Sequence, residues 1–176
     1  MGEKLVVVDE KDNLLREEDK LKCHKGDGIL HRAFSAFIFN EKNELLIQKR
    51  SKLKQLWPLH WSNSCCSHPR KGESYDEAAE RRVMEELGID CRMEMIYKFI
   101  YNAKYKNIGS ENELCAVFIG KCDNMRINVD PKEIAEHKFI GIEELKKDIK
   151  ENPDSYTPWF KMEIGKVIEY VGGGKD

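Results

Sequence analysis

One short stretch constrains this chain more than any other. It reads Asn63-Ser-Cys-Cys-Ser-His-Pro69, and Arg70-Lys-Gly-Glu73 follows directly. The first part is a tight loop closed by proline; the second is a glycine turn leading into residues 74–87. There Ala79, Val83 and Leu87 recur at four-residue spacing, which predicts an amphipathic helix, and Gly88 supplies its C-terminal stop. A thiol, an imidazole and several carboxylates this close together point to a metal-assisted active site.

The 176 residues suit a single domain spanning 1–176, large enough to bury a real core. Hydrophobic residues make up 40% and charged residues 35%, an ordinary balance for a soluble protein. A formal net charge of −2 gives no electrostatic case for nucleic acid or an anionic membrane as partner. The first residues lack a signal-peptide pattern and no apolar run approaches membrane-spanning length, so the expected location is the cytoplasm. Cysteines stand at 23, 65, 66, 91, 115 and 122 without a CxxC pair, which argues against a zinc ribbon. In a reducing compartment they are expected to be free thiols, most of them small core residues.

Taken in order, residues 4–9 and 13–15 read as a short hairpin and 16–30 as a charged, irregular segment with a Gly26-Asp-Gly28 turn. Residues 32–40 and 44–50 are predicted strands around a turn, with His31 at the mouth of the first. Residues 92–101 and 113–121 are further strands flanking a loop at 104–110. A strand at 137–142, a short helix at 143–150 and a terminal helix at 158–170 complete the chain, before a glycine-rich tail at 172–176 that carries no interface signal. Strands and helices mix without β-α-β alternation, so the predicted class is α+β with a mixed sheet.

On the predicted helix, Arg82, Glu85 and Glu86 share one side, and Glu77, Arg81 and Glu85 form a second line. By itself such a pattern describes a solvated, salt-bridged face. The frame around it changes that: Gly72-Glu73, Ala78-Ala79, Arg81, Glu85-Glu86 and Gly88-Ile89 resemble the Nudix box, the loop–helix–loop that binds divalent cations on diphosphate substrates. Two positions depart from the box. Ser67 stands where the pattern begins with Gly, and Arg82 stands where a metal-binding Glu follows the Arg. A cation at that place argues against ordinary diphosphate hydrolysis.

The cysteine loop also resembles that of the type I isopentenyl-diphosphate isomerases, which share the Nudix fold. So do Leu30-His-Arg-Ala-Phe-Ser35, Trp57-Pro58, Glu111-Asn-Glu113 and Thr157-Pro-Trp159, five matches in register around a modified box. The resemblance implies a Nudix-like α/β/α sandwich. Its core spans about residues 29–150, after an N-terminal hairpin and metal-ligand loop at 1–28 and before a C-terminal helix at 155–171.

From the residues themselves, Glu111 and Glu113 lie two apart on a predicted strand and so share a face. His24, His31 and His68 are available to join them, and three imidazoles with two carboxylates suit Mn²⁺, Zn²⁺ or Fe²⁺ better than Mg²⁺. The resemblance assigns this same set as the ligands of one Mn²⁺ or Zn²⁺, and leaves His60 and His137 as structural.

The family likeness further implies Cys66 and Glu113 as the proton-transfer pair, with Tyr101 beside Glu113 and Trp159 as the aromatic face for a carbocation. Without it, Cys66 is a packed loop cysteine, Tyr101 a strand tyrosine and Trp159 an anchor for the last helix. Trp57 and Trp61 read as wall or core. The diphosphate would be held by Arg50, Lys54, Arg82 and Lys71, with Glu86 holding Mg²⁺ on its oxygens and Glu85 paired to Arg81. The implied activity interconverts isopentenyl and dimethylallyl diphosphate. The rivals are a Nudix diphosphate hydrolase and a catalytically silent Nudix-like binding domain.

Overall fold

The computed structural model describes residues 2–123 and 125–173. The chain opens with strands β1 (Lys4–Val8) and β2 (Leu14–Asp19), then a single turn of helix, α1 (Lys20–Cys23). Strands β3 (His31–Phe39), β4 (Leu45–Arg50), β5 (Trp61–Ser62) and β6 (Cys65–Ser67) precede helix α2 (Tyr75–Leu87). A long hairpin, β7 (Met93–Tyr105) and β8 (Gly109–Lys121), leads to β9 (Ile134–Ile140). Helices α3 (Ile142–Glu151) and α4 (Pro158–Gly173) end the described chain. The last three residues of the predicted tail, 174–176, lie outside the described residues.

Strand β3 organises the sheet. One edge pairs in parallel with β8, from His31↔Glu113 to Phe39↔Lys121. The other edge is shared by β1 at His31, β6 at Phe34–Ala36 and β4 at Phe39. Parallel and antiparallel ladders therefore meet on one strand, and the sheet is mixed.

Alternation along β3 explains why both sheet faces are covered. Phe34, Ala36 and Ile38 pack with Ala79, Val83 and Leu87 of α2, while Phe37 and Phe39 pack with Trp159, Phe160 and Val167 of α4. Each large aliphatic side chain buried this way contributes about 1.5–3 kcal/mol. The resulting arrangement is the expected α/β/α sandwich.

Helix α2 forms where its spacing predicts. Ser74 caps it by accepting from the Glu77 N–H at 3.2 Å, and the Glu77 carboxylate accepts from the Ser74 N–H at 2.8 Å, a reciprocal box worth about 1 kcal/mol. Gly88 ends the helix in the left-handed region at φ 68°.

Three expectations need correction. The segment at 16–30 is not irregular throughout, because β2 extends to Asp19, whose carboxylate caps α1 through the Leu21 N–H at 2.9 Å. The cysteine loop contains a strand, β6, which borrows its regularity from β3. Cys91 and Cys122 are not free thiols but are joined in a disulfide. The β7–β8 register pairs Met93 with Gly120 and so brings the two cysteines to a Cα separation of 6.2 Å. Gly120 leaves the space, since a Cβ there would stand 2.7 Å from Cys91 Sγ. Cys23, Cys65, Cys66 and Cys115 remain free. Among the described residues, no helix is long and apolar enough to cross a membrane.

Candidate active site

Strand alternation decides which side chains meet. His31, Ser35 and Phe37 of β3 lie on the sheet face covered by α4. Cys66 pairs with Ser35 and Glu113 with both His31 and Tyr101, so these groups share that face. Glu111 lies two residues before Glu113 and His68 two after Cys66, which keeps them there. Cys65 points the other way, into the core beneath α2. A cavity opens over this floor, lined by His24, Cys66, His68, Tyr101, Glu111, Glu113 and Trp159, with Arg50, Lys54, Arg82 and Lys20 on its wall.

At one end, one ligand atom from each of His24, His31, His68, Glu111 and Glu113 lies within 4.8 Å of all the others. His24 reaches the cluster as the residue closing α1. Its carbonyl accepts from the Ser110 N–H at 2.9 Å, and Gly109 has no room for a Cβ beside that carbonyl.

The rings are oriented from behind. His24 Nδ1 lies 2.7 Å from the Lys20 carbonyl and His31 Nδ1 lies 2.7 Å from the Ile29 carbonyl. A carbonyl can only accept, so each Nδ1 carries the proton and a neutral ring turns the Nε2 lone pair toward the carboxylates. His24 Nε2 then faces Glu111 Oε2 at 2.8 Å, His68 Nε2 faces Glu113 Oε1 at 3.3 Å and His31 Nε2 faces it at 3.6 Å. At His24 and His31 a neutral ring sets acceptor against acceptor, which a proton on Nε2 or a bound cation relieves.

Titration follows the same logic. Burial disfavours charge on His24, but the Glu111 carboxylate outweighs it and the pKa ends above the usual value. Burial, with the neighbouring His31, drives His68 well below its own, so that ring is neutral. The donor set fits a divalent metal.

At the other end, the Cys66 thiol donates to Asn63 Oδ1 at 2.8 Å. The Asn63 amide is held by donating from Nδ2 to the Cys65 carbonyl at 2.8 Å and the Ala36 carbonyl at 3.3 Å, which leaves its oxygen for the thiol. Trp159 Nε1–H points at Cys66 Sγ from 3.2 Å. Burial, opposed by the Arg50 guanidinium, pushes the thiol up to about 12, so Cys66 holds its proton.

Glu113 is arranged the opposite way. Tyr101 donates its hydroxyl to Glu113 Oε2 at 2.6 Å. Burial pushes this carboxyl up, but the His31 ring and the Tyr101 hydroxyl pull it below the usual carboxylate value. Tyr101, buried and beside carboxylates, sits well above its usual value and stays a donor.

The cationic wall begins at a slip in the β4–β9 ladder between Lys49 and Arg50. Bulges of this kind re-aim side chains, and here Lys49 pairs outside with Glu136 while Arg50 is buried. Arg50 donates to the Trp57 and Leu56 carbonyls at 3.0 and 2.9 Å, pinning a loop whose Trp57 has φ 46°, and its guanidinium lies 5.2 Å from the Trp159 ring centre. Lys54 pairs with Glu133. Arg82 pairs with Glu85 at 2.6 Å and with the buried Glu86 at 2.5 Å.

Lys71, expected at the diphosphate, is not brought into the cavity: it is exposed and pairs with Glu17 at 3.4 Å, because it leaves the loop one turn ahead of α2. Glu86 lies behind Arg82 rather than on the cavity wall. Glu85 pairs with Arg82 as well as Arg81. Asn63, Ser62, Lys20 and Glu133 were not singled out from the sequence. Asn63 sits in the quoted motif, but nothing in the order of residues says that its amide meets the thiol.

The box, the sandwich and the cavity between them define a class, and a family model of the NUDIX domain matches residues 29–160. The solved structure of DR0079 from Deinococcus radiodurans shares the fold, with a TM-score of 0.68 at 20% identity over 85% of this chain and 90% of that one. Sequence relatives narrow the class. The "Isopentenyl-diphosphate Delta-isomerase 1" of Photorhabdus laumondii subsp. laumondii is 45% identical over 95% of this chain and 96% of its own length. The "Isopentenyl-diphosphate delta-isomerase" of Schizosaccharomyces pombe is 34% identical over 92% of this chain and 80% of its own. This chain belongs to the isopentenyl-diphosphate isomerase family of Nudix-domain proteins.

Proposed function

We propose that the protein interconverts isopentenyl and dimethylallyl diphosphate by adding a proton at the terminal alkene carbon and removing one from C2. One observation carries this reading above the others: two acid–base groups in one cavity are held in opposite proton states. Cys66 donates to Asn63 and is a thiol; Glu113 accepts from Tyr101 and is a carboxylate. In the forward direction Cys66 supplies the proton to the alkene and Glu113 receives the one leaving C2. The tertiary cation between the two steps is sheltered from water by the buried ring of Trp159, which Trp57 packs against edge-on at 5.3 Å between ring centres.

The His/Glu cluster is assigned one Mn²⁺ or Zn²⁺, held by His24, His31, His68, Glu111 and Glu113. Bound there, the ion supplies fixed positive charge that lowers the basicity of Glu113. Arg50, Lys54 and Arg82 bind the diphosphate, and Mg²⁺ arrives on the diphosphate rather than on Glu86, which is buried behind Arg82. The working location is the cytoplasm. A hydrolase would require a carboxylate where Arg82 stands.

Proton NMR of isopentenyl diphosphate in D₂O with Mg²⁺ and Mn²⁺ tests this directly. Dimethylallyl methyl signals, deuterium in the product and no phosphate release are expected. Cys66→Ala should lower the rate about 10²–10⁴-fold while leaving the melting temperature in place. Phosphate release, or near-normal turnover by that variant, would contradict the mechanism.

A further inference from the structure

Three cations of the cavity wall already have anionic partners. Lys20 Nζ lies 2.7 Å from Glu3, Lys54 pairs with Glu133, and Arg82 meets Glu85, Glu86 and Glu133. Glu85 and Glu86 follow Arg82 on α2, so their pairing comes with the helix. Glu133 is different. It stands immediately before β9 and reaches Arg82 Nη2 at 3.4 Å across 51 positions of chain.

The backbone places it there. The Ser51 N–H donates to the Glu133 carbonyl at 2.9 Å, and the Ser51 carbonyl accepts from the Lys54 N–H at 3.1 Å. The loop that presents Lys54 and the turn that presents Glu133 are thus tied to one residue. The Glu133 carboxylate is partly exposed, and ion pairs of that kind add little to stability. Its place beside two cavity cations calls for another explanation.

We propose that Glu133 is a positioning residue that sets the affinity for diphosphate: a fixed anion that weakens the hold of Lys54 and Arg82 on substrate and product alike. This rests on the isomerase reading. Moving a double bond leaves the diphosphate unchanged, so contacts to it are equally strong before, during and after the reaction. Binding of that uniform kind lowers KM without raising kcat, and in excess it retains product. A carboxylate beside the cations opposes an incoming anion by Coulomb's law, and the opposition grows with the charge of the anion.

The test is titration calorimetry of the full chain and of Glu133→Gln with inorganic diphosphate and with inorganic phosphate, without added divalent cation. The variant should bind diphosphate about five- to tenfold more tightly, with a smaller gain for phosphate. With isopentenyl diphosphate as substrate, its KM should fall by a similar factor while kcat stays level or falls. Glu133→Ala should move both quantities in the same direction. Weaker or unchanged diphosphate binding, or a raised KM, would overturn the proposal and make Glu133 a residue that merely orients its partners. Tighter binding without isomerisation by either protein would keep the affinity role and reject the isomerase reading.

Discussion

Two groups of carboxylates, one lining the cavity and one behind its cationic wall, are satisfied in opposite ways. Glu111 and Glu113 face the Nε2 atoms of the imidazoles, with His31 Nε2 and Glu111 Oε2 buried and without a hydrogen-bond partner among the described residues. Glu85, Glu86 and Glu133 surround the guanidinium of Arg82, with Lys54 beside them. The first group is a donor set that fits a divalent ion; the second carries its own cation. The box of this chain therefore keeps its frame while its charge is balanced from within. The set that fits an external ion is anchored on the strands, where the parallel β3–β8 ladder holds His31 opposite Glu113.

Removing Arg82 should break the contrast most strongly. Arg82→Gln leaves three carboxylates together, one of them the buried Glu86, and should cost about 2–3 kcal/mol in urea unfolding at pH 7. Mg²⁺ should then raise the melting temperature of the variant more than that of the unmutated protein. Lowering the pH toward 5 should return part of the loss, because burial already raises the Glu86 pKa and a protonated Glu86 repels nothing. Equal stability at pH 7 would mean that the box does not depend on its internal cation.

A smaller effect sharpens the comparison with a third carboxylate. Glu163 follows Trp159 by one helical turn, is fully buried and lies 3.6 Å from Cys115 Sγ. It has neither an ion site nor a paired cation among the described residues, and burial raises its pKa from 4.5 to about 8. In the unfolded chain this group loses its proton near pH 4.5, while the folded protein keeps it until about pH 8. Stability is therefore lost as pH rises through that window. Glu163→Gln removes the effect. Its melting temperature should exceed that of the unmutated protein at pH 8, and the gap should close toward pH 5. A gap independent of pH would show that Glu163 is ionised in the fold.

Much of this was legible in the sequence, for definite reasons. Period-four spacing gave α2 and its glycine stop, and alternation put Glu111 and Glu113 on one face. The family likeness supplied His24, His31 and His68, which no local pattern ties to one another. What stayed hidden depends on long-range register. Strand β6 is too short to show a period and is regular only because β3 is beside it. The Cys91–Cys122 bond follows from the β7–β8 pairing, which the spacing of cysteines does not reveal. Glu133 reaches Arg82 from a turn anchored on the backbone of Ser51, and Lys71 leaves the site because a surface loop turns it away.

The distinction between the two carboxylate groups is tested most directly by the metal content of the protein. After purification without chelators, the account predicts one tightly held Mn²⁺ or Zn²⁺ per chain in the absence of substrate. His31→Ala should lower the metal affinity at least tenfold, and Glu133→Gln should leave the stoichiometry unchanged. A chain that binds no ion, or whose ion is indifferent to His31, would contradict it.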